Sequence, residues 1–537
     1  MRDQDCFAKN ARNDGAISFL MLALKFPRRD TLFPLYTLTL IAITLSVVIA
    51  VMPPMVAVAA ILIVAWCALA VTEPLFALAF AIILGPTKAL YAAALPNEWI
   101  DLGQIGFVLI VVSWLLRGLA KREIRIPPIT ILIPFAIYLL AITLSFTVNQ
   151  VRAPNAALNE WLKWIEMLIT AIIVVDWAKP TPDRSVVNPA GVKFGKTCQV
   201  LSKPGWLVAI IIASGVLQTM SGVWEWGFRG IGPATFRIFG DTYRAYGTFE
   251  QPNPFAGYLG MIWTVAIAVG VGVGIIVGAG LAPAQRATAR VAPTNVWVGL
   301  IAFAGGAASL AGLYLSFSRG AWIGAAAAGI VMLIFVPRRR WIGISLAIIG
   351  VIIFFTLYSL NLLPSAIASR FADVGSFFQV YDVRGVHVND SNFAIVERLA
   401  HWQAAVNMAD ANPIFGVGLG NYEAAYETYR LVKWQYALGH AHNVYLNTLA
   451  ETGALGLAGY LILWGSIFAV TIRVIHRAGG VERALAIGLL GTWTHLMTHQ
   501  FLDNLYVNNV HLLIGALLGL LCLLLNSIAE RQSAQNF

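Results

Sequence analysis

Apolar runs of about 20 residues, each long enough to cross the hydrocarbon core of a bilayer as a helix, recur along almost the whole chain. Such runs leave the backbone little choice. In lipid every N–H and C=O must be satisfied within its own segment, so the chain folds as a bundle of membrane-spanning helices. Composition agrees, with 59% of the 537 residues hydrophobic and only 12% charged. A soluble multidomain enzyme carries about twice that charged fraction, so that class is excluded, as is a disordered or disulfide-stapled chain. The net charge of +10 sits in short loops between the runs. That is the pattern of membrane topology, and it gives no basic stripe of the kind that tracks nucleic-acid phosphates.

The pattern predicts an all-α polytopic bundle of about fourteen spans. They lie near residues 34–51, 55–72, 74–95, 101–119, 126–147, 156–177, 205–226, 255–279, 296–317, 320–336, 341–361, 450–473, 484–501 and 508–528. Residues 1–33 form a polar N-terminal segment with no cleavable signal, 34–204 hold the first six spans, and 205–537 form the remaining membrane domain. With the N-terminus placed in the cytoplasm, 24 Lys and Arg fall inside and 11 outside. This bias follows the positive-inside rule and puts both termini in the cytoplasm. Two outer loops exceed hairpin length, 227–254 and roughly 361–440, and loops that long in a compact bundle carry structure and function of their own. Of the cysteines, Cys6, Cys67, Cys198 and Cys522, none falls in an outer loop and no CxxC exists, so neither a disulfide framework nor a zinc knuckle is expected.

The chemistry-bearing residues gather on the outer side. Arg319, in Ser-Arg-Gly-Ala-Trp, sits between two spans with almost no loop. A snorkelling arginine is the ordinary reading. An outer arginine nonetheless runs against the charge bias, and a fixed guanidinium between Ser and Gly suits a phosphate. The stretch 393–410 reads as an amphipathic helix with Ile395, Leu399, Trp402, Val406 and Ala409 on its apolar side and Arg398 beside them. A surface ion pair is the alternative for Arg398, and His401 reads as structural. Residues 412–422, Asn-Pro-Ile-Phe-Gly-Val-Gly-Leu-Gly-Asn-Tyr, lack a dinucleotide fingerprint's spacing and preceding strand, and read instead as a tight turn. His440 and His442 could ligate a metal, but no further ligands sit at convincing spacing, so no metal is expected. An imidazole at this position is suited to general-base work. Arg244 opens a turn-rich stretch ending in Asn253-Pro254. His495, His499 and Asp503 fall at i, i+4 positions and read either as a proton relay of a transporter or as a helix-locking hydrogen-bonded row.

Five motifs in order carry a resemblance. They are Arg-Ala-Tyr-Gly-Thr-Phe-Glu-Gln-Pro-Asn at 244–253, Ser-Arg-Gly-Ala-Trp at 318–322, Arg-Leu-Ala-His-Trp at 398–402, the glycine-rich 412–422, and His-Ala-His-Asn-Val-Tyr-Leu-Asn-Thr-Leu-Ala-Glu-Thr-Gly at 440–453. Over roughly residues 205–525 the chain resembles the O-antigen ligase and O-antigen polymerase superfamily, and the first six spans match it only in general character. The resemblance implies a glycosyltransferase C-like membrane enzyme at the outer face of the bacterial inner membrane. It implies transfer of a glycan from an undecaprenyl-diphosphate carrier to an acceptor hydroxyl, with inversion and with neither metal nor cofactor. The acceptor is a second carrier-linked glycan in a polymerase or lipid A core in a ligase. Membrane lipid surrounds the enzyme, and polysaccharide export proteins are expected neighbours. His442 matches the family's catalytic histidine, and Arg319 and Arg398 match the arginines that hold the diphosphate. Arg244 is a weaker donor-binding match, and His440, Asn443, His499 and Asp503 stand as supporting residues. The span count exceeds that of the family's ligases, which favours polymerase. The competing readings are a secondary transporter built on His495, His499 and Asp503, a peptidoglycan glycosyltransferase of the shape and division family, and a protein-glycosylating member of the same superfamily.

Overall fold

The computed structural model describes residues 54–94, 101–124, 126–148, 152–178, 203–280, 293–363, 368, 382–389 and 392–535. The N-terminal segment 1–33, the first expected span at 34–51, and most of 364–391 lie outside them. Two compact units divide the chain, residues 1–68 and 69–537. The second holds every candidate site residue.

Helices dominate, as expected. They are α1 (Pro54–Thr72), α2 (Pro74–Leu84), α3 (Lys88–Ala94), α4 (Leu102–Lys121), α5 (Leu132–Val148), α6 (Pro154–Ala178), α7 (Lys203–Gly227) and α8 (Pro252–Gly280). There follow α9 (Pro293–Leu315), α10 (Arg319–Phe335), α11 (Arg340–Ser359), α12 (Phe393–Ala411), α13 (Tyr422–Tyr429), α14 (Val444–Arg477), α15 (Gly480–His499) and α16 (Val510–Gln535). Between α7 and α8 lies a small antiparallel hairpin, β1 (Arg237–Phe239) and β2 (Thr242–Tyr243), which pairs Arg237 with Tyr243.

Among the described residues seven helices are long and apolar enough to cross a membrane: α4, α7, α8, α9, α11, α14 and α16. Four more of the expected spans are apolar but shorter, including α5 and α10 at 17 residues each. The other two, α6 and α15, have the length but carry polar side chains. Several of those side chains are paired inside the bundle, as polar groups at membrane depth tend to be. On α6, Glu166 accepts from Gln104 (3.0 Å) and lies 2.7 Å from Nε2 of buried His511 on α16, and Asp176 accepts from Trp114 (2.9 Å). On α15, Thr492 lies 2.8 Å from Thr264 of α8. Helix α16 is apolar all round and largely buried, the signature of a central helix. Helix α11 shows the opposite pattern, since only 11% of its apolar window is buried. An exposed apolar surface of that extent is what lipid covers.

The described part of the long loop after α11 has a structured core, as its length led one to expect. Ala404, Ala405 and Met408 of α12 pack with Val417, Tyr422, Tyr426, Ala441 and Ala450. The face that α12 buries differs from the expected one. Val396, Leu399, Ala400, His401, Ala404, Ala405 and Met408 point inward while Val406 is exposed. The helix is wedged between α13 and the 383–386 strap, so small residues on two sides are buried and a single apolar stripe does not describe it.

Candidate active site

The site forms where the ends of α8, α10, α14 and α15 meet the loop helix α12. The local sequence explains each position. Ser318 caps α10 by accepting from Ala321 N, so Arg319 becomes the first helical residue, half-buried at the bundle end. Asn443 caps α14 by accepting from Leu446 N (3.0 Å), which gives it a structural part. The chain just before that cap is held three ways. Ala441 N donates to Asn447 Oδ1 (3.0 Å), Val444 N donates to the Gln500 carbonyl (3.0 Å), and His442 N donates to His440 Nδ1 (3.0 Å). These bonds keep His442 in the left-handed region (φ 52°), a conformation that costs a non-glycine residue on the order of 1 kcal/mol.

Asp503 is the hub. It was expected one turn beyond His499 on the same helix, but α15 ends at His499 and Asp503 lies in the turn that follows. The row His495–His499–Asp503 is therefore broken. Its two histidines remain neighbours, with rings 5.5 Å apart and both side chains buried. Asp503 turns instead toward the histidine loop. Its Oδ1 lies 3.6 Å from His442 Nδ1 and 3.8 Å from His440 Nε2, and its Oδ2 accepts from Asn253 Nδ2 (2.6 Å). Burial raises the Asp503 carboxyl, but the facing His442 and His440 imidazoles and the Arg398 guanidinium outweigh it and hold the group well below the usual carboxylate range.

Arg244 reaches the same hub indirectly. Its Nε donates to the Ser316 carbonyl (2.8 Å) and one Nη donates to Asn253 Oδ1 (3.2 Å), so it orients the amide that holds Asp503. Arg398, on α12, lies within electrostatic reach of Asp503, Arg319 and Glu397. Burial and the Arg319 charge lower its guanidinium from the ordinary value while Asp503 opposes the shift. The two guanidiniums thus feel each other, with Asp503 and Glu397 opposing their repulsion at Arg398.

His401, read from the sequence as structural, is packed among aromatic rings. It is buried, its Nδ1 lies 3.2 Å from Tyr422 Oη, and it stacks on Tyr426 at 4.9 Å. Burial pushes its imidazole down to about 3, so it stays neutral, and its ring meets His442 edge-on at 5.7 Å.

Sequence reasoning found no third metal ligand, yet the fold brings Asp503 to His440 and His442 with three ligand atoms within 4.8 Å of one another. The hydrogen bonding argues against an ion. The His442 N–H occupies the lone pair of His440 Nδ1, and burial pushes this imidazole down to about 4, so the neutral ring carries its proton on Nε2, facing Asp503. A metal at Nε2 would displace that proton to Nδ1, which could then no longer accept the His442 backbone N–H.

The sequence missed Asn253, which it had seen only as part of a turn. It also missed Glu225, whose carboxylate accepts from Tyr246 N (2.9 Å) and Gly247 N (2.6 Å) and fixes the loop that carries Arg244. Glu397 was passed over as well, although it feels the His442 charge and burial raises its carboxyl. Only its place beside Arg398 could have flagged it.

The sequence pattern of the O-antigen ligase family matches residues 304–461. The match takes in Arg319, Arg398, His440, His442 and Asn443, whereas Arg244, Asn253, His499 and Asp503 lie beyond it. No curated protein matches the chain. Residues 304–461 match the O-antigen ligase family, which supports the resemblance to the O-antigen ligase and polymerase superfamily that the five motifs carry.

Proposed function

We propose that the chain transfers a glycan from an undecaprenyl-diphosphate carrier to an acceptor hydroxyl, with inversion and without metal, at the extracytoplasmic face of the bacterial inner membrane. Both termini then lie in the cytoplasm. The observation that carries this reading is the convergence of Arg319 and Arg398 beside the His442–Asp503 pair.

Each group has a part in the reaction. Asp503, ionised, favours the His442 tautomer protonated at Nδ1, which leaves a lone pair on Nε2. That lone pair takes the proton of the acceptor hydroxyl. The freed oxygen bonds to the anomeric carbon from the face opposite the carrier, and the carbon–oxygen bond to the diphosphate breaks. The diphosphate leaves with the electron pair, and its growing charge is met by the guanidiniums of Arg319 and Arg398, which do the work a divalent ion does elsewhere. Arg244 and Asn253 position Asp503. His440 shares the Asp503 carboxylate, and His499 packs against Gly320, the residue after Arg319. Exposed Tyr436 and half-buried Trp434, on the strap that leads into His440, are placed to stack on sugar rings.

Purified protein is given an undecaprenyl-diphosphate-linked repeat unit as sole substrate. A ladder of lengthened carrier-linked glycans is expected, the polymerase outcome, and the His442→Ala variant should abolish it. Arg319→Ala and Arg398→Ala should each lower the rate by about a hundredfold or more, the scale for removing one charge-stabilising donor. Transfer seen only after lipid A core is added makes the enzyme a ligase. Absence of transfer to either acceptor overturns the reading.

A further inference from the structure

Helices α10, α14 and α15 present the candidate site at one end, and at their other ends they gather cations of which that site makes no use. Arg338 and Arg339 lie in the turn between α10 and α11, and Arg340 opens α11. Arg473 and Arg477 lie in the last turns of α14, and Arg483 lies in the first turn of α15. All but Arg483 are exposed.

The group is organised. Arg483 donates to the carbonyls of Phe335 (2.6 Å) and Val336 (3.0 Å), which satisfies the C-terminus of α10. Arg340 lies over the Phe335 ring at 4.7 Å and touches His476 Nε2 of α14. Arg338 is close enough for its charge to be felt at Arg483. The neighbouring Glu482 is bound by Arg531 (3.0 Å), so its charge is already met.

An apolar strip begins at the edge of this basic group. Trp341, Ile344, Ile348 and Ile352 follow Arg340 along one face of α11 at helical spacing, and all four are exposed. A ligand that fits both features has an anionic phosphate head and long hydrocarbon tails lying along the helix. We propose that this surface binds the headgroup of an anionic glycerophospholipid, in the leaflet opposite the candidate active site, with its acyl chains against α11. Free phosphate matches the cations but not the strip, and a soluble acidic protein has no use for it.

The purified full-length protein in neutral detergent is titrated with phosphatidylglycerol, and bound lipid is counted by native mass spectrometry. Phosphatidylcholine and inorganic phosphate serve as separate arms. Arg338 and Arg339 are the residues to change, because both are exposed and their loss leaves the Arg340 and Arg483 contacts in place. Phosphatidylglycerol should bind in preference to phosphatidylcholine. The double Arg338→Gln, Arg339→Gln variant should bind it about fivefold more weakly for each arginine removed, and Arg338→Lys, Arg339→Lys should restore most of the affinity. Equal affinity in wild type and the Gln variant overturns the proposal. Displacement of the lipid by millimolar inorganic phosphate overturns the lipid assignment in favour of a free anion.

Discussion

At the scale of single residues, Asp503 links more parts of the site than any residue singled out from the sequence. It faces both histidines, takes the Asn253 amide, and through that amide is tied to Arg244 and the Ser316 carbonyl. Its charge is held in place by the groups it faces, so a neutral side chain of the same shape should leave the fold intact and disturb the tautomer of His442. Asp503→Asn is expected to lower kcat by about a hundredfold or more, the usual share of a positioned general base, while KM for the lipid-linked donor changes little. Steady-state transfer assays across pH measure both. A variant that raises KM at unchanged kcat would make Asp503 a substrate-binding group.

At the scale of elements, the glycine-rich stretch 412–422 acquires a physical role. Helix α14 is kinked at Gly453 (φ 64°, ψ −167°), a backbone conformation that L-residues avoid. Across the kink Val417 N donates to the Ala450 carbonyl (2.8 Å), Gly418 N to Glu451 O (2.9 Å) and Ala454 N to Pro413 O (2.8 Å). Ser145 Oγ of α5 donates to both Phe415 O and Glu451 O at 2.8 Å. The kink therefore exchanges bonds within one helix for bonds to the motif, and it aims the start of α14, with its Asn443 cap, at Asp503. A Cβ at Gly453 would also strike the Ile414 backbone. Gly453→Ala should destabilise the protein by about 2 kcal/mol or more and lower its thermal midpoint in detergent. A variant of unchanged midpoint would show that α14 tolerates a straight path.

At the scale of the whole molecule, the bundle has two chemically distinct ends. Arg319, His442 and Asp503 mark one, and the 338–340 and 473–483 cations mark the other. The proposed topology, drawn from the charge bias of the sequence, puts the second end in the cytoplasm. Cysteine labelling in intact cells tests this on a background without the four native cysteines. A membrane-impermeant maleimide should modify Val432→Cys, on the exposed strap before His440, and should spare Arg339→Cys. The reverse pattern would turn the protein over and place the site inside.

Much of this was determined by the sequence alone. Apolar runs dictate membrane helices because lipid offers the backbone no partner, and the motifs single out Arg319, Arg398 and His442 as candidates because each keeps its chemistry in a few consecutive residues. The sequence could not supply relations between distant segments. That Asp503 leaves its helix to face His442, that Arg244 acts through Asn253, and that Glu225 anchors the Arg244 loop all depend on where separate helix ends meet. Nor could hydrophobicity show how the polar groups of α6 and α15 are accommodated, since their partners, such as His511 and Thr264, stand on other helices. Composition is a local quantity and carries the local decisions. The site is a matter of distances across the fold, and only the packed bundle sets those.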